Sequence, residues 1–200
     1  MLLGEHDDLS VVSEAADGRT ALVCALEHRP DIVIMDVGLP CLNGIDATKQ
    51  ILNELSTVKI IALSMHAESH IVKAMLEAGA SAFLIKDSIV EDLIKAIHSV
   101  LGGEMYLSPR AAKILVESSV RHSNRPHENK NSVFSQLSVR QREVLQLIVE
   151  GKSMKEIAEE LHLSINTVNT HRRELMKNLN LNTLADLVKY AVREGLTSLS

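Results

Sequence analysis

Three side chains that could carry phosphoryl chemistry stand at the ends of separate apolar segments. Asp36, Ser64 and Lys86 each follow or end a short run rich in Val, Ile and Leu. An Asp carboxylate can accept a phosphoryl group as a covalent intermediate, and a cation and a hydroxyl can stabilise the added oxygens. Each residue alone has an ordinary explanation, as a cap, a turn residue or a surface charge. Because parallel strands end at one edge of a sheet, the three together predict a single site.

A second set of polar side chains has helical spacing near the C-terminus. Its members lie at i, i+3, i+4, i+7 and i+11: Asn166, Asn169, Thr170, Arg173 and Lys177. Arg can bond guanine bidentately, Asn can bond adenine in the same way, and a Thr methyl can contact thymine. The alternative is the solvated face of an amphipathic helix. The tight turn 162–164 and the absence of Asp and Glu from this stripe favour a helix-turn-helix that reads duplex DNA.

The elements that would position the first site alternate between strand and helix. The predicted strands are Val11–Ala16, Asp31–Asp36, Lys59–Ser64 and Ala82–Lys86. Helices are predicted at about 18–28, 44–55, 68–78 and 90–101, with a further helix from Pro109 to about Glu117. Nearly continuous apolar strands are typical of sheets buried on both faces. The alternation predicts an α/β unit with a doubly wound parallel sheet.

The elements that would position the polar stripe are all helical. Capping boxes begin at Ser138 and Ser153, where Gln141 and Glu156 stand three residues later. Helices are predicted at about 139–150, 154–161, 165–179 and 183–194. The second unit is therefore a small all-α domain.

The composition separates these two units. A polar stretch at 119–135 is predicted to be a linker between domains at 1–118 and 136–200. Residues 1–120 hold 9 Lys and Arg against 17 Asp and Glu, whereas residues 121–200 hold 12 against 9. Two cysteines fit a reducing cytoplasm, and no apolar run is long enough to span a membrane. We therefore expect a cytoplasmic protein without a membrane partner.

The C-terminal motifs resemble the LuxR-type helix-turn-helix. The matching segments are 137–145 (LSVRQREVL), 150–158 (EGKSMKEIA) and 167–171 (TVNTH). The resemblance implies base contacts from Asn169, Thr170 and Arg173, and contacts to the DNA backbone from Lys155, Thr167 and Lys177. It also implies a homodimer on double-stranded DNA, with a dimerisation helix that carries Leu184, Val188 and Ala191.

The N-terminal motifs resemble the receiver domain of NarL/FixJ-type response regulators over residues 2–117. The matching segments are 14–18 (EAADG), 35–40 (MDVGLP), 43–44 (NG), 78–80 (AGA) and 83–87 (FLIKD). The resemblance implies that Asp36 is the phosphoacceptor, Ser64 the switch hydroxyl, Lys86 the phosphate-stabilising lysine and Phe83 the switch aromatic. It further implies a sensor histidine kinase as partner, and Mg²⁺ bound by Asp36 and the backbone carbonyl of Gly38.

The expected mechanism has two steps. Phosphorylation of Asp36 draws Ser64 towards the phosphoryl group and turns Phe83 inward. The face around the last strand and helix of the receiver then changes partners, which frees or dimerises the DNA-binding unit.

One departure concerns the metal. The family begins with a strand that ends in an acidic pair, and Asp7 and Asp8 stand too close to the segment Val11–Ala16 to supply it. The first strand is therefore expected to be missing, which puts Mg²⁺ in question. Either the chain is a shortened version of a longer one, or it is a short form with a degenerate receiver that acts without phosphorylation.

The predicted function is a DNA-binding transcriptional response regulator, not an enzyme. A hydrolase of phosphate esters that uses Asp36 is disfavoured by the helix-turn-helix and by the lack of a second acid or base near this residue. A further alternative is a regulator that acts by dimerising with another regulator.

Overall fold

The computed structural model of the chain describes residues 8–65, 68–86, 89–123, 136–194 and 196. Its N-terminal domain contains a parallel sheet of four strands in the order β1-β2-β3-β4. The strands are β1 Ile32–Asp36, β2 Lys59–Ser64, β3 Ala82–Ile85 and β4 Tyr106–Leu107. The helices are α1 Gly18–His28, α2 Gly44–Glu54, α3 Ser69–Glu77, α4 Ile89–Leu101 and α5 Pro109–Ser123. The predicted α/β fold with a parallel sheet is confirmed.

The two central strands, β2 and β3, are largely buried on both faces of the sheet, as their apolar runs predict, whereas the edge strands β1 and β4 are mostly half-buried. Alternate residues such as Met35 and Phe83 pack in a core that includes α1, α2, α3 and α5. The intervening residues, among them Ile61 and Leu84, pack against α4. Strict alternation along each strand fixes which side chains face which layer. Because β1, β2 and β3 pair in parallel, their carboxyl ends lie side by side.

The predicted strand Val11–Ala16 is wrong. The structure assigns no strand to this segment, and Val11 and Val12 are exposed. A β-strand needs a partner for its backbone N–H and C=O groups. Among the described residues, β1 pairs with β2 on one side and with no strand on the other. Apolar composition alone therefore does not make this segment a strand.

Two further differences follow from local structure. The short strand β4 was not predicted, and it pairs with β3 through the register Ala82↔Tyr106. Helix α5 continues to Ser123, so the predicted linker is helical over its first residues. The remainder of the predicted linker, 124–135, lies outside the described residues.

The C-terminal domain is helical, as predicted. Its elements are α6 Val139–Val149, α7 Met154–Glu160, α8 Ile165–Leu179 and α9 Leu184–Arg193. Both predicted capping boxes are present, at Ser138 with Gln141 and at Ser153 with Glu156. Such caps satisfy backbone N–H groups that have no partner inside the helix, and so define where each helix begins. None of the helices in the described parts of the chain is long and apolar enough to cross a membrane.

Candidate phosphoacceptor site and DNA-binding surface

Asp36 and Lys86 meet at the carboxyl edge of the sheet. Asp36 ends β1, and Lys86 follows β3 directly. The Lys86 ammonium donates a hydrogen bond to Asp36 Oδ2, and the backbone N–H of Gly38 donates to Asp36 Oδ1 at 3.1 Å. Both side chains remain partly accessible, at 34% for Asp36 and 27% for Lys86. The edge therefore offers a carboxylate that solvent and a phosphodonor can reach, held next to a cation.

Ser64 ends the strand that lies between β1 and β3. Its neighbour Leu63 pairs in register with Asp36, and Ser64 itself pairs with Ile85, the residue before Lys86. The residue is buried. The register therefore brings the three predicted residues to one edge of the sheet, as the sequence predicts.

Phe83 is completely buried in the core of the receiver domain. Its ring already points into the layer that contains α2 and α3. The ring of Phe83 therefore cannot turn further inward from the position that it has in this structure. A role for Phe83 in switching stays a prediction.

The metal site expected from the resemblance is not completed by the residues that the structure describes. Among the described residues, no group of three or more His, Cys, Asp or Glu side chains could hold a metal ion. Asp8 lies beside His98 of α4, with 4.0 Å between Asp8 Oδ2 and His98 Nε2. Mg²⁺ requires six oxygen ligands in near-octahedral geometry, some of them water. One carboxylate from Asp36 and one carbonyl from Gly38 do not by themselves make a selective site for this ion.

The polar stripe of α8 lies on the outside of the C-terminal domain. Thr170 and Arg173 are exposed and Asn169 is half-buried, whereas Val168 and Leu175 on the opposite side are in the core. Arg173 lies along its own helix, with Nη2 3.3 Å from Thr170 Oγ1 and Nε 3.3 Å from the Asn169 carbonyl oxygen. The helix therefore presents base-reading side chains on one surface and packs with the other.

The residues predicted to contact the DNA backbone lie near this surface. Lys155 is exposed on α7, where its ammonium is 3.9 Å from Glu159 Oε1, and Lys177 is exposed near the end of α8. The hydroxyls of Thr167 and the helix cap Ser164 are 2.8 Å apart. Backbone contacts of this kind position a protein on DNA without reading its sequence.

Comparison with known proteins agrees with both domains. Residues 2–98 match the family model described as response regulator receiver domain, and residues 135–191 match that of bacterial regulatory proteins, luxR family. The oxygen regulatory protein NreC of Staphylococcus carnosus is 36% identical over 197 residues, a match that covers 98% of this chain and 91% of NreC.

This chain belongs to the NarL/FixJ-type response regulators.

Solved structures extend the likeness over both domains of the regulator. RcsB from Salmonella enterica serovar Typhimurium, bound to the promoter rprA in the presence of the phosphomimetic BeF3⁻, is 26% identical with a TM-score of 0.59. A structure of two RcsB dimers bound to two parallel DNAs is also 26% identical, with a TM-score of 0.53. Each match covers 94% of this chain and 88% of RcsB. The regulator is thus a DNA-binding two-component protein that controls transcription, not an enzyme.

The predicted dimerisation residues of the regulator do not all lie on a free surface. Leu184 is exposed and Val188 is half-buried, but Ala191 is 0% exposed and packs in the core of its own domain. Ala191 is therefore corrected from a dimer contact to a core residue. Its neighbour Leu187 also packs inside the domain, because both residues fall on the inner face of α9.

The two domains of the regulator meet at α6, which the sequence analysis missed. Arg142 on α6 and Asp46 on α2 form a bidentate ion pair, with Nε–Oδ2 at 2.8 Å and Nη2–Oδ1 at 2.5 Å. Their side chains are 3% and 1% exposed. A signal was available in the sequence, since Arg142, Gln146 and Glu150 stand at i, i+4 and i+8, and Gln146 lies between Leu145 and Leu147 in the apolar part of α6.

Further charges surround this interface. Arg19 at the start of α1 reaches both α6 and α7, with Nη2 3.4 Å from Glu143 Oε1 and Nε 3.8 Å from Glu160 Oε1. His70 on α3 lies 3.7 Å from Glu194, the residue that follows α9. The contacts between domains are thus largely polar, and they leave the reading surface of α8 uncovered.

Proposed function

We propose that the regulator is switched by phosphorylation of Asp36. The observation that carries this proposal is the contact between Lys86 and Asp36 at the carboxyl edge of the sheet. A cation held on the accepting carboxylate can stabilise the charge of the incoming phosphoryl oxygens. The neighbouring hydroxyl of Ser64 is the second group suited to this task.

The proposed step is a phosphoryl transfer from a phosphohistidine of a sensor histidine kinase. One carboxylate oxygen of Asp36 forms a bond to phosphorus while the bond between phosphorus and the histidine nitrogen breaks. The histidine keeps the electron pair of that bond, and Asp36 becomes an acyl phosphate. Lys86 then moves from the carboxylate to the new phosphoryl oxygens.

The receiver family generally uses Mg²⁺ for this chemistry. The described residues do not complete a site for it, so no step of the proposal depends on the ion. A second candidate function, in which the regulator binds DNA without phosphorylation, is supported by the position of the Asp8 carboxylate beside His98 of α4.

The DNA-binding surface is proposed to read bases through Asn169, Thr170 and Arg173. The exposed position of Thr170 and Arg173 and the absence of carboxylates from this stripe support the proposal. Lys155, Thr167 and Lys177 would hold the sugar-phosphate backbone. All of this would take place in the cytoplasm, where the kinase domain and the DNA are accessible.

A homodimer on DNA is proposed, with Leu184 and Val188 of α9 at its interface. The exposed leucine supports this, and so does the dimeric form of RcsB on DNA. A dimer doubles the base contacts and sets the spacing of two half-sites.

The test uses phosphoramidate as the donor with the full chain, with and without Mg²⁺. We expect the intact mass to rise by one phosphoryl group in the wild type and not in Asp36→Asn. Lys86→Gln should lower the initial rate by about 100-fold, a typical cost of removing one group that stabilises developing charge. Unchanged mass of the wild type, combined with sequence-selective DNA binding, would instead establish the phosphorylation-independent regulator.

A further inference from the structure

The segment Val37–Asn43, called the acceptor loop below, contains a strained turn. It joins the strand of Asp36 to helix α2. The N–H of Leu42 donates to the carbonyl of Pro40 at 2.7 Å, and Cys41 between them has a φ of +63°. This is a γ-turn with positive φ at its central residue, the rarer and more strained form. A non-glycine residue keeps such a conformation only where its surroundings hold it there.

One side of the turn is held by the receiver domain itself. The N–H of Gly18, at the start of α1, donates to the carbonyl of Pro40 at 3.2 Å. A Cβ atom on Gly18 would lie 1.8 Å from the carbonyl oxygen of Leu42. The turn therefore fits tightly against the start of α1, and only glycine allows this approach.

The other side of the turn is held by the DNA-binding domain. Glu150, the residue that follows α6, accepts a hydrogen bond from the N–H of Cys41 at 3.1 Å. Gln146 accepts from the N–H of Asn43 at 2.9 Å and donates to the carbonyl of Leu39 at 2.7 Å. The Gln146 side chain thus bridges the two ends of the turn, and this residue is completely buried.

The anchor of α6 on the receiver lies one turn away. Asp46 pairs with Arg142 and also accepts a hydrogen bond from Asn43 Nδ2 at 2.9 Å. Asn43 in turn caps α2 through its side-chain oxygen. Gln146 therefore bonds a segment that Asn43 and Asp46 already fix to α2. The position of the Gln146 side chain relative to the acceptor loop is thus well defined.

The start of the acceptor loop is tied to Asp36. The N–H of Gly38 donates to Asp36 Oδ1 at 3.1 Å, and the N–H of Gly44 donates to the carbonyl of Val37 at 2.9 Å. A Cβ atom on Gly44 would lie 2.2 Å from the carbonyl oxygen of Asp36. The acceptor loop is short, and hydrogen bonds hold both of its ends. A relaxation of its turn therefore shifts the N–H of Gly38 relative to the carboxylate of Asp36.

We propose that Gln146 and Glu150, which belong to the DNA-binding domain, are positioning residues for phosphoryl transfer to Asp36. The proposal rests on the proposed function of Asp36 as the phosphoacceptor. Neither residue contacts Asp36, and both act through the backbone of the acceptor loop. The DNA-binding domain thereby helps to hold the loop next to the receiver's reactive carboxylate. The full chain accepts the phosphoryl group faster when the hydrogen bonds of Gln146 and Glu150 to this loop are intact.

The test compares Gln146→Met with the wild type in the full chain. The substitution keeps the side-chain volume and removes the hydrogen bonds to Leu39 and Asn43, as well as the one that Gln146 Nε2 donates to Glu150 Oε1 at 2.9 Å. We expect the rate of Asp36 phosphorylation by phosphoramidate, followed by intact mass, to fall about 10-fold, because displacements near 1 Å in a reacting group can cost up to about 100-fold. Hydrogen exchange of the amides of Cys41 and Asn43 should rise in the same variant.

Two matched variants separate positioning from general loss of structure. Arg19→Met removes the ion pairs with Glu143 and Glu160 across the same interface. Neither pair involves the turn between Leu39 and Asn43, and we expect a phosphorylation rate within about 2-fold of the wild type. Glu150→Gln keeps an oxygen acceptor for the N–H of Cys41 and should retain most of the rate, whereas Glu150→Met should not.

The outcomes are distinct. A wild type that gains no phosphoryl mass removes both the proposed function and this inference. A wild type that is phosphorylated, with Gln146→Met reacting equally fast or faster, removes only the inference. Equal losses in Gln146→Met and Arg19→Met would also overturn it, because the effect would then belong to the interface as a whole.

Discussion

The DNA-reading surface and the phosphoacceptor site of this regulator are assembled in different ways. Asn169, Thr170 and Arg173 occupy one helix, and the hydrogen bonds of the arginine side chain are made within that helix. Asp36 and Lys86 come from separate strands, and the loop that follows Asp36 is held by side chains of the other domain. The DNA-reading surface is built from residues that are close together in the sequence. The phosphoacceptor site depends on contacts between distant residues, such as Asn43 and Gln146, which stand 103 positions apart. A change elsewhere in the chain should therefore disturb the phosphoacceptor site much more than the DNA-reading surface.

The largest expected effect concerns the buried ion pair that joins the two domains. Arg142→Met leaves the carboxylate of Asp46 without its partner and should lower the free energy of unfolding by at most about 3–5 kcal/mol, the cost when the carboxylate stays buried; parting of the domains returns Asp46 to water and reduces this loss. Urea unfolding measures this loss. Lys155→Met is the control for an exposed pair, because the side chains of Lys155 and Glu159 are 76% and 69% exposed; we expect about 1 kcal/mol or less.

A second substitution sharpens the interpretation. Asp46→Asn combined with Arg142→Met removes the buried charge and keeps an oxygen acceptor for Asn43 Nδ2. The double variant should regain most of the stability lost in Arg142→Met. A double variant that is no more stable than the single one would contradict the view that the unpaired carboxylate causes the loss.

An intermediate effect is expected at the DNA-reading surface. Arg173→Ala should lower the preference for a selected duplex over random duplex by about 1–3 kcal/mol, because the proposed bidentate contact to guanine would be lost. Fluorescence anisotropy with both duplexes measures the preference. Lys189→Ala removes the same charge from an exposed position on α9, and should leave the preference unchanged. Equal effects of the two substitutions would mean that Arg173 contributes charge rather than base recognition.

The smallest expected effect concerns the thiol in the strained turn. Burial, together with the charges of Glu160 and Glu150, raises the pKa of Cys41 to about 11. At pH 8 the folded protein therefore carries less Cys41 thiolate than the unfolded chain, and the thiolate increases only as the pH rises towards 11. We expect iodoacetamide to alkylate Cys41 about 10-fold more slowly in the native state than in urea, since the loss of thiolate is partly offset by its greater nucleophilicity.

Peptide mapping by mass spectrometry separates Cys41 from Cys24 in this measurement. Gln146→Met should partly restore the reactivity of Cys41, because the turn is then free to relax. Native reactivity equal to that in urea would show that the turn is open in solution, and the contrast between the two sites would be weaker than the structure indicates.

The sequence predicted what depends on short-range patterns. The caps at Ser138 and Ser153 gave the starts of α6 and α7, and the strand ends gave the convergence of Asp36, Ser64 and Lys86. The error at Val11–Ala16 has a different origin, because a strand exists only where a partner lies beside it. The burial of Ala191 and the grip of Gln146 on the acceptor loop were not foreseen. Both depend on how separate elements pack, which the spacing of residues along one helix does not specify.

The polar character of the contact between the domains has a consequence for how they separate. Arg142, Gln146 and Glu150 can exchange their partners for water, so parting the domains exposes little apolar surface along this row. An apolar contact of the same size would hold the domains together through the hydrophobic effect. The domains can therefore separate without exposing a large apolar surface. Rising ionic strength should weaken the more exposed ion pair of Arg19 with Glu160 more than the buried pair of Arg142 with Asp46.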